Sequence, residues 1–359
     1  MHRISATPDG LAPTVPSIRV MTSGADYDVY PLGDLRLQNG ETLPDARLAF
    51  RAWGKLNAAR DNCIVFPTYY TGDHNSNARM IGPGKALDPD HWFIVVPNMF
   101  GNGVSSSPSN TSGPRGAAGF PSVTILDNVV CQYRLLFEHL GVRRIALATG
   151  WSMGAIQAFQ WAVLFPDLVD RLLPFCGAAK CWPQNYVFLE GVKAALTADE
   201  AFRGGSYASP PQAGLRAFGR AYAGWAYSAA FYRARLYQVL GHPSMESLLT
   251  AWEEDHLACD ANDLLAMLRT WQSADVSAND MHRGNFARAL SSIRARTVVM
   301  PCDQDMYFTL PESLYESSMI PRSELRPFRS PYGHCAGAPG RFPDEMQFLD
   351  ATLRELLND

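Results

Sequence analysis

The chain has 359 residues, 47% hydrophobic and 18% charged, enough to bury one large core or a core that carries an insertion. Its net charge of −4 and its 31 scattered basic residues leave no electrostatic footprint for nucleic acid or an anionic membrane, so small-molecule chemistry is the default. The seven cysteines (63, 131, 176, 181, 259, 302 and 335) form no C-x-x-C pair and no zinc-type spacing to a histidine, and the first twenty residues hold no apolar run of signal-peptide length. Both features point to a reducing cytoplasm.

Residues 1 to about 25 read as a loose lead-in. "LRLQNGETLPDARLAFRAWGKL" then alternates polar and apolar residues around "NGE", the pattern of paired antiparallel strands. The short apolar runs "NCIVFP" (62–67), "WFIVVPN" (92–98) and "RRIALATG" (143–150) suit strands covered on both faces. Between the last two, "SVTILDNVVCQYRLLFEHLGV" has apolar residues at helical spacing, with Gly141 as a C-cap. Strand, helix, strand implies a mostly parallel α/β sheet.

From 145 to 166 the chain carries no charge, long enough to cross a bilayer. Gly150, Gly154 and the glutamines at 157 and 160 argue instead for a buried strand, a tight turn and a helix. Residues 181–288 then change character to helical segments rich in Ala, Leu, Trp and Tyr, read as a cap inserted between core portions 1–180 and 289–359. The strand-like "RTVVMPCD" and the amphipathic "DEMQFLDATLRELL" resume the core.

The turn "GWSMG" satisfies G-x-S-x-G between a buried strand and a helix, the context that a nucleophile elbow requires. Gly150 and Gly154 leave room for Ser152 to sit on a strained turn, and the backbone N–H of Met153 at the helix start can meet a developing oxyanion. A serine needs a base, and in this fold the chain order is serine, acid, histidine. "PCDQDMYF" offers Asp303 and Asp305 after a strand, and "SPYGHCAGAPG" offers His334 before the last helix. Of the other seven histidines only His74, in "TGDHNSN", lies in a loop facing the proposed site. No metal or organic cofactor is needed for such chemistry, and the partner is a small-molecule ester.

These segments together resemble the homoserine O-acetyltransferase family of α/β-hydrolases over most of the chain: "LAFRAWGKLNAARDNCIVFP", "YTGDHN", "GWSMGAIQAFQWA", "DANDLLAMLRTWQSADVS", "DQDMYF" and "YGH". The resemblance implies an α/β-hydrolase fold with a helical cap and a homodimer. It assigns Asp305 as the acid and His334 as the base. It places the second oxyanion N–H at Tyr70, with Tyr69 and Thr71 as alternatives.

The departures carry the functional expectation. Where the resemblance asks for an arginine in the first cap helix, to hold the homoserine carboxylate, this chain offers Lys193; where it asks for an aspartate after the catalytic histidine, it has Cys335. "NMFGNGVSSSPSN" also departs from the transferases' glycine- and threonine-rich segment. An amino-acid acceptor without a guanidinium fork or a carboxylate counter-ion loses much of its specific binding. The expected activity is therefore a serine esterase for short, acetate-type esters, working through an acyl-enzyme on Ser152, with acyl-CoA-dependent O-acyl transfer as the alternative. Trp182, Tyr186, Trp225, Tyr227 and Trp271 are candidates for the pocket lining, although aromatic residues on cap helices are more often plain core.

Overall fold

The computed structural model describes residues 26–358, and the lead-in expected before residue 26 lies outside them. Eight strands form one sheet: β1 (Asp28–Arg36), β2 (Thr42–Trp53), β3 (Cys63–Val65), β4 (Phe93–Pro97), β5 (Ile145–Trp151), β6 (Arg171–Phe175), β7 (Arg296–Val299) and β8 (Ser323–Leu325). The helices are α1 (His74–Ala78), α2 (Ile125–Tyr133), α3 (Met153–Leu164), α4 (Pro183–Thr197), α5 (Gln212–Ala226), α6 (Ala229–Arg233), α7 (Met245–Leu257), α8 (Ala261–Gln272), α9 (Phe286–Ser291), α10 (Leu310–Ser318) and α11 (Pro343–Asn358).

The N-terminal hairpin follows the alternation seen in the sequence. Leu35 and Arg36 pair with Leu43 and Thr42, and the turn is closed where Leu37 N–H donates to Glu41 at 2.9 Å, with Gly40 at φ +85°. Beyond β2 and β4, which are antiparallel, the pairs β4–β3, β3–β5, β5–β6, β6–β7 and β7–β8 are all parallel. Alternate strand residues enter two apolar clusters, one on each face. Ile64, Ile94, Leu147, Leu173 and Val298 share one with Leu349, Leu353, Leu356 and Leu357 of α11. Val65, Val95, Ala148, Leu172 and Val299 share the other with Ile156 and Phe159 of α3. Period 2 on the strands thus meets helical spacing on the helices, and each fully buried leucine contributes about 1.5–3 kcal/mol.

Strand β6 was not apparent in the sequence because "RLLPF" is short and carries a proline, which argues against a central strand. It is tolerated because the ladder asks Pro174 for its carbonyl: Met300 N–H donates to it at 3.0 Å. The apolar run from 145 to 166 resolves into β5, a turn and α3, and among the described residues no helix is long and apolar enough to cross a membrane. Its glutamines are buried but satisfied. Gln157 Nε2 donates to Thr68 O at 2.8 Å, Gln132 Nε2 donates to Gln157 Oε1 at 2.7 Å, and Trp161 Nε1–H donates to Gln132 Oε1 at 2.8 Å. A connected buried network of this kind avoids the cost of an orphaned amide.

The sheet order is β1-β2-β4-β3-β5-β6-β7-β8. After β3 the chain moves outward to β4 and then returns to the other side of β3 as β5, so the order reverses between β3 and β5. Loops leaving the carboxyl ends of parallel strands diverge at such a reversal, and the gap between them is where ligands bind. Helices α4 to α8, which fall between β6 and β7 in sequence, reach this edge through specific ties. Tyr70 Oη–H donates to Leu264 O at 3.2 Å, Tyr307 Oη–H donates to Tyr222 O at 3.3 Å, and Ser109 N–H and Oγ–H donate to the Asp263 carboxylate at 2.9 and 2.6 Å.

Candidate active site

Ser152 follows the last residue of β5 with φ +57° and ψ −125°, a conformation that costs a non-glycine residue on the order of 1–3 kcal/mol and persists only where the surroundings enforce it. The enforcement is visible in the space around the turn. A Cβ on Gly150 would lie 2.3 Å from the Gly154 carbonyl, and one on Gly154 would lie 2.7 Å from Pro67 O. Gly177, after β6, is equally constrained, since a Cβ there would sit 2.3 Å from that of Ala155. Strand β5, helix α3 and the loop after β3 are thereby pressed together beneath the serine.

The loops after β7 and β8 bring the other two groups. His334 Nε2 lies 3.0 Å from Ser152 Oγ, and His334 Nδ1 lies 2.7 Å from Asp305 Oδ2. All three residues are buried, at 3–5% exposure, so their charges interact with little screening by water. Asp305 is itself fixed: its Oδ1 accepts the backbone N–H groups of Tyr307 at 2.8 Å and Phe308 at 3.1 Å. Asp303 points elsewhere and accepts Ser330 N–H at 3.2 Å, which anchors the loop that leads to His334.

The imidazole is clamped by rings. Trp151 stacks on it with centroids 4.8 Å apart and an interplanar angle of 22°, Tyr307 meets it edge-on at 4.6 Å, and the Trp151 indole N–H donates to His334 O at 3.3 Å. Trp151 stands at the unrestricted second position of G-x-S-x-G and Tyr307 two residues past Asp305, so neither is singled out by the motifs. Met153 opens α3, so its N–H belongs to the first turn, where no carbonyl one turn earlier can take it. Tyr69, Tyr70 and Thr71 all line the cavity above Ser152, and Thr71 is left-handed at φ +61°.

The arrangement offers a hydroxyl, a base in contact with it, an acid in contact with the base, and helix-start N–H groups. A sequence model described as the alpha/beta hydrolase fold matches residues 64–185. The ethyl acetate hydrolase of Pseudomonas veronii is 39% identical over 336 residues, covering 92% of this chain and 95% of that protein. The chain belongs to the α/β-hydrolase family. The solved structure of the acetyl esterase MekB superposes with a TM-score of 0.90 at 38% identity, covering 93% of this chain and 97% of that one. A homoserine O-acetyltransferase of Chlorobium chlorochromatii is 29% identical, with 89% and 91% covered.

Within this α/β-hydrolase the cavity is compact, with about 120 Å³ open to the centres of water molecules. Its aromatic lining from the helices between β6 and β7 is Tyr222 of α5 and Trp252 of α7, not the five residues singled out in the sequence. Trp271 and Tyr227 are fully buried core. Trp182 packs against Phe286 and Tyr315, Trp225 packs against Phe188, and Tyr186 is exposed. Which helical face meets the site is set by how α5 packs against α4 and α7, and that is not written in either helix alone. His74 does not line the cavity; it is fully buried, with ring nitrogens facing Asn98 and Asp26. Lys193 is also absent from the lining, its ammonium held 3.0 Å from Glu190 on the same helix. Cys335 does line the cavity, and burial pushes its thiol up to about 11. It is a neutral thiol at physiological pH, a poor nucleophile and no counter-ion for an ammonium.

Proposed function

We propose that this chain is a serine carboxylester hydrolase for short, acetate-type esters. The observation that carries the reading is the continuous contact Ser152–His334–Asp305 opening onto a small, largely aromatic cavity. The 39% identity to an ethyl acetate hydrolase over 92% of this chain supports the same substrate class. Ser152 attacks the ester carbonyl while His334 takes its proton, and Asp305 holds the imidazole in the required tautomer and stabilises its cation. His334 then protonates the departing alcohol. Water, deprotonated by His334, cleaves the acyl-enzyme and releases the acid. The N–H of Met153, with that of Tyr70, holds the tetrahedral oxyanion in both halves. The chemistry draws on no metal or organic cofactor. The seven cysteines are all unpaired, in keeping with a reducing cytoplasm.

The acceptor is water because neither position that the resemblance assigns to an amino-acid acceptor supplies its charge here. Lys193 is turned to Glu190 and the position after the base is a neutral thiol. Losing two charge-assisted contacts of about 1.5–3 kcal/mol each lowers homoserine use by roughly two to four orders of magnitude if the losses add. The test compares kcat/KM for a small acetate ester in water with kcat/KM for homoserine at saturating acetyl-CoA, followed by free thiol. Ready hydrolysis with weak homoserine-dependent thiol release is expected. The opposite ranking would return the chain to acyl transfer. Acetate should be preferred over longer acyl groups without being exclusive, since one methylene discriminates by only about 1–3 kcal/mol.

Cys335 tests the nucleophile from another side. Cys335→Ser should retain substantial ester hydrolysis with no need for reductant, because Ser152 supplies the attacking oxygen and the thiol is protonated. Loss of acylation in that variant, with Ser152 intact, would transfer the nucleophile's role to the cysteine.

A further inference from the structure

The catalytic cavity carries charge that neutral acetate hydrolysis does not use. Its lining includes two guanidinium side chains, Arg79 and Arg341, and among the described residues no aspartate or glutamate. The two arginines are neighbours. Gly340, at φ +67°, leaves no room for a side chain because a Cβ there would sit 2.5 Å from Arg79 Cβ, so the stem of Arg79 packs directly before Arg341.

Arg341 is half-buried and held in place. Its Nη2 donates to the Tyr227 hydroxyl at 2.6 Å, and its guanidinium lies 5.6 Å from the Tyr227 ring centroid and 5.3 Å from that of Phe342. That hydrogen bond uses one of five N–H donors on a planar fork that matches a carboxylate. Asp255 of α7 adds an opposing charge, but it is not part of the cavity wall. A partly desolvated cation beside a second one favours an anion in the cavity and disfavours an ammonium.

We propose that Arg341, with Arg79, is the specificity determinant for a carboxylate carried by the ester substrate. The physiological substrates are then small carboxylate-bearing esters, an acylated hydroxy acid or a half-ester of a dicarboxylic acid. The inference rests on the ester-hydrolase reading above. The reaction stays a hydrolysis: the acyl C–O bond breaks and water's oxygen joins the acyl carbon. One of water's protons ends on the alcohol oxygen, and the other is lost as the new acid ionises. The same arginines can hold the carboxylate of homoserine, so the discrimination against that acceptor rests on its ammonium, for which the cavity lining holds no aspartate or glutamate among the described residues.

Two isosteric pairs test it, with kcat/KM read by acid release. Acetoxyacetate against acetoxyacetamide puts the charge on the alcohol side, and monomethyl succinate against methyl succinamate puts it on the acyl side. In at least one pair the wild-type protein should prefer the carboxylate about tenfold or more, and high salt should erode the preference. Arg341→Gln should reduce the carboxylate-to-amide ratio on the order of ten- to a hundredfold, Arg341→Lys less, and Arg79→Gln, at an exposed position, in the same direction. A purely structural role for Arg341, as support for Tyr227, would lower both members of a pair equally and leave the ratio alone. Wild-type ratios near one in both pairs, or ratios unmoved by both glutamine variants, overturn the inference while leaving the esterase reading standing. Failure to hydrolyse any of the four esters or a neutral acetate overturns both.

Discussion

Ser152→Ala is expected to bring ester hydrolysis to background, a loss on the order of 10⁶ in kcat by comparison with a serine protease stripped of its nucleophile. The size follows from what the substitution removes. In the proposed mechanism the Oγ atom is the attacking atom, and its contact in the site is with His334 Nε2 at 3.0 Å. The fold should tolerate the change, because the conformation at φ +57° is enforced by Gly150, Gly154 and Gly177 closing around the turn and is as costly for alanine as for serine. Thermal unfolding within a few degrees of wild type, with no burst of alcohol on mixing with an activated acetate ester, is the expected pair of results. A folded Ser152→Ala protein that keeps most of its hydrolysis would remove the acyl-enzyme from the mechanism.

How much of this was legible in the sequence depends on the distance over which each feature is decided. The nucleophile is decided locally. "IALATGWSMGAIQ" contains the strand, the small flanking residues and the helix start, all within a single segment around Ser152. The hairpin around "NGE" and the final helix are local in the same sense, since their alternation and spacing are complete within one segment. The choice between Asp303 and Asp305 is not local: both follow β7, and only the approach of the β8 loop decides which carboxylate meets the imidazole. Motif resemblance supplied Asp305 where residue chemistry left two choices.

The cavity wall was least legible. Tyr222 and Trp252 come from helices thirty residues apart, and Arg341 is a single cation in a Gly/Pro-rich stretch that only the approach of Arg79 to Gly340 gives a direction. Trp151 was hidden differently. It stands at an unrestricted position of the elbow pattern, yet its indole forms one face of the base's enclosure. Patterns record what the backbone turn demands, and the Trp151 side chain answers to a neighbour 183 residues away.

The acid gives the second large effect. Asp305→Asn should lower kcat by about 10⁴, the loss seen when the same exchange is made in a serine protease, while Asp303→Asn should leave most activity. In the wild type, Asp305 Oδ1 is committed to the N–H groups of Tyr307 and Phe308, so Oδ2 alone faces His334 Nδ1. An asparagine amide in this place keeps its oxygen on those two donors and turns its NH₂ towards the ring. Nδ1 must then accept, the ring proton moves to Nε2, and that nitrogen can no longer take the proton of Ser152. The fold keeps its contacts while the base is locked in the wrong tautomer, so the loss should fall on kcat with little change in thermal stability. Asp303 uses one oxygen to accept Ser330 N–H at 3.2 Å, and an asparagine oxygen can do the same. Measuring both variants on one acetate ester separates the roles, and a larger loss in Asp303→Asn than in Asp305→Asn would move the catalytic acid to the other carboxylate.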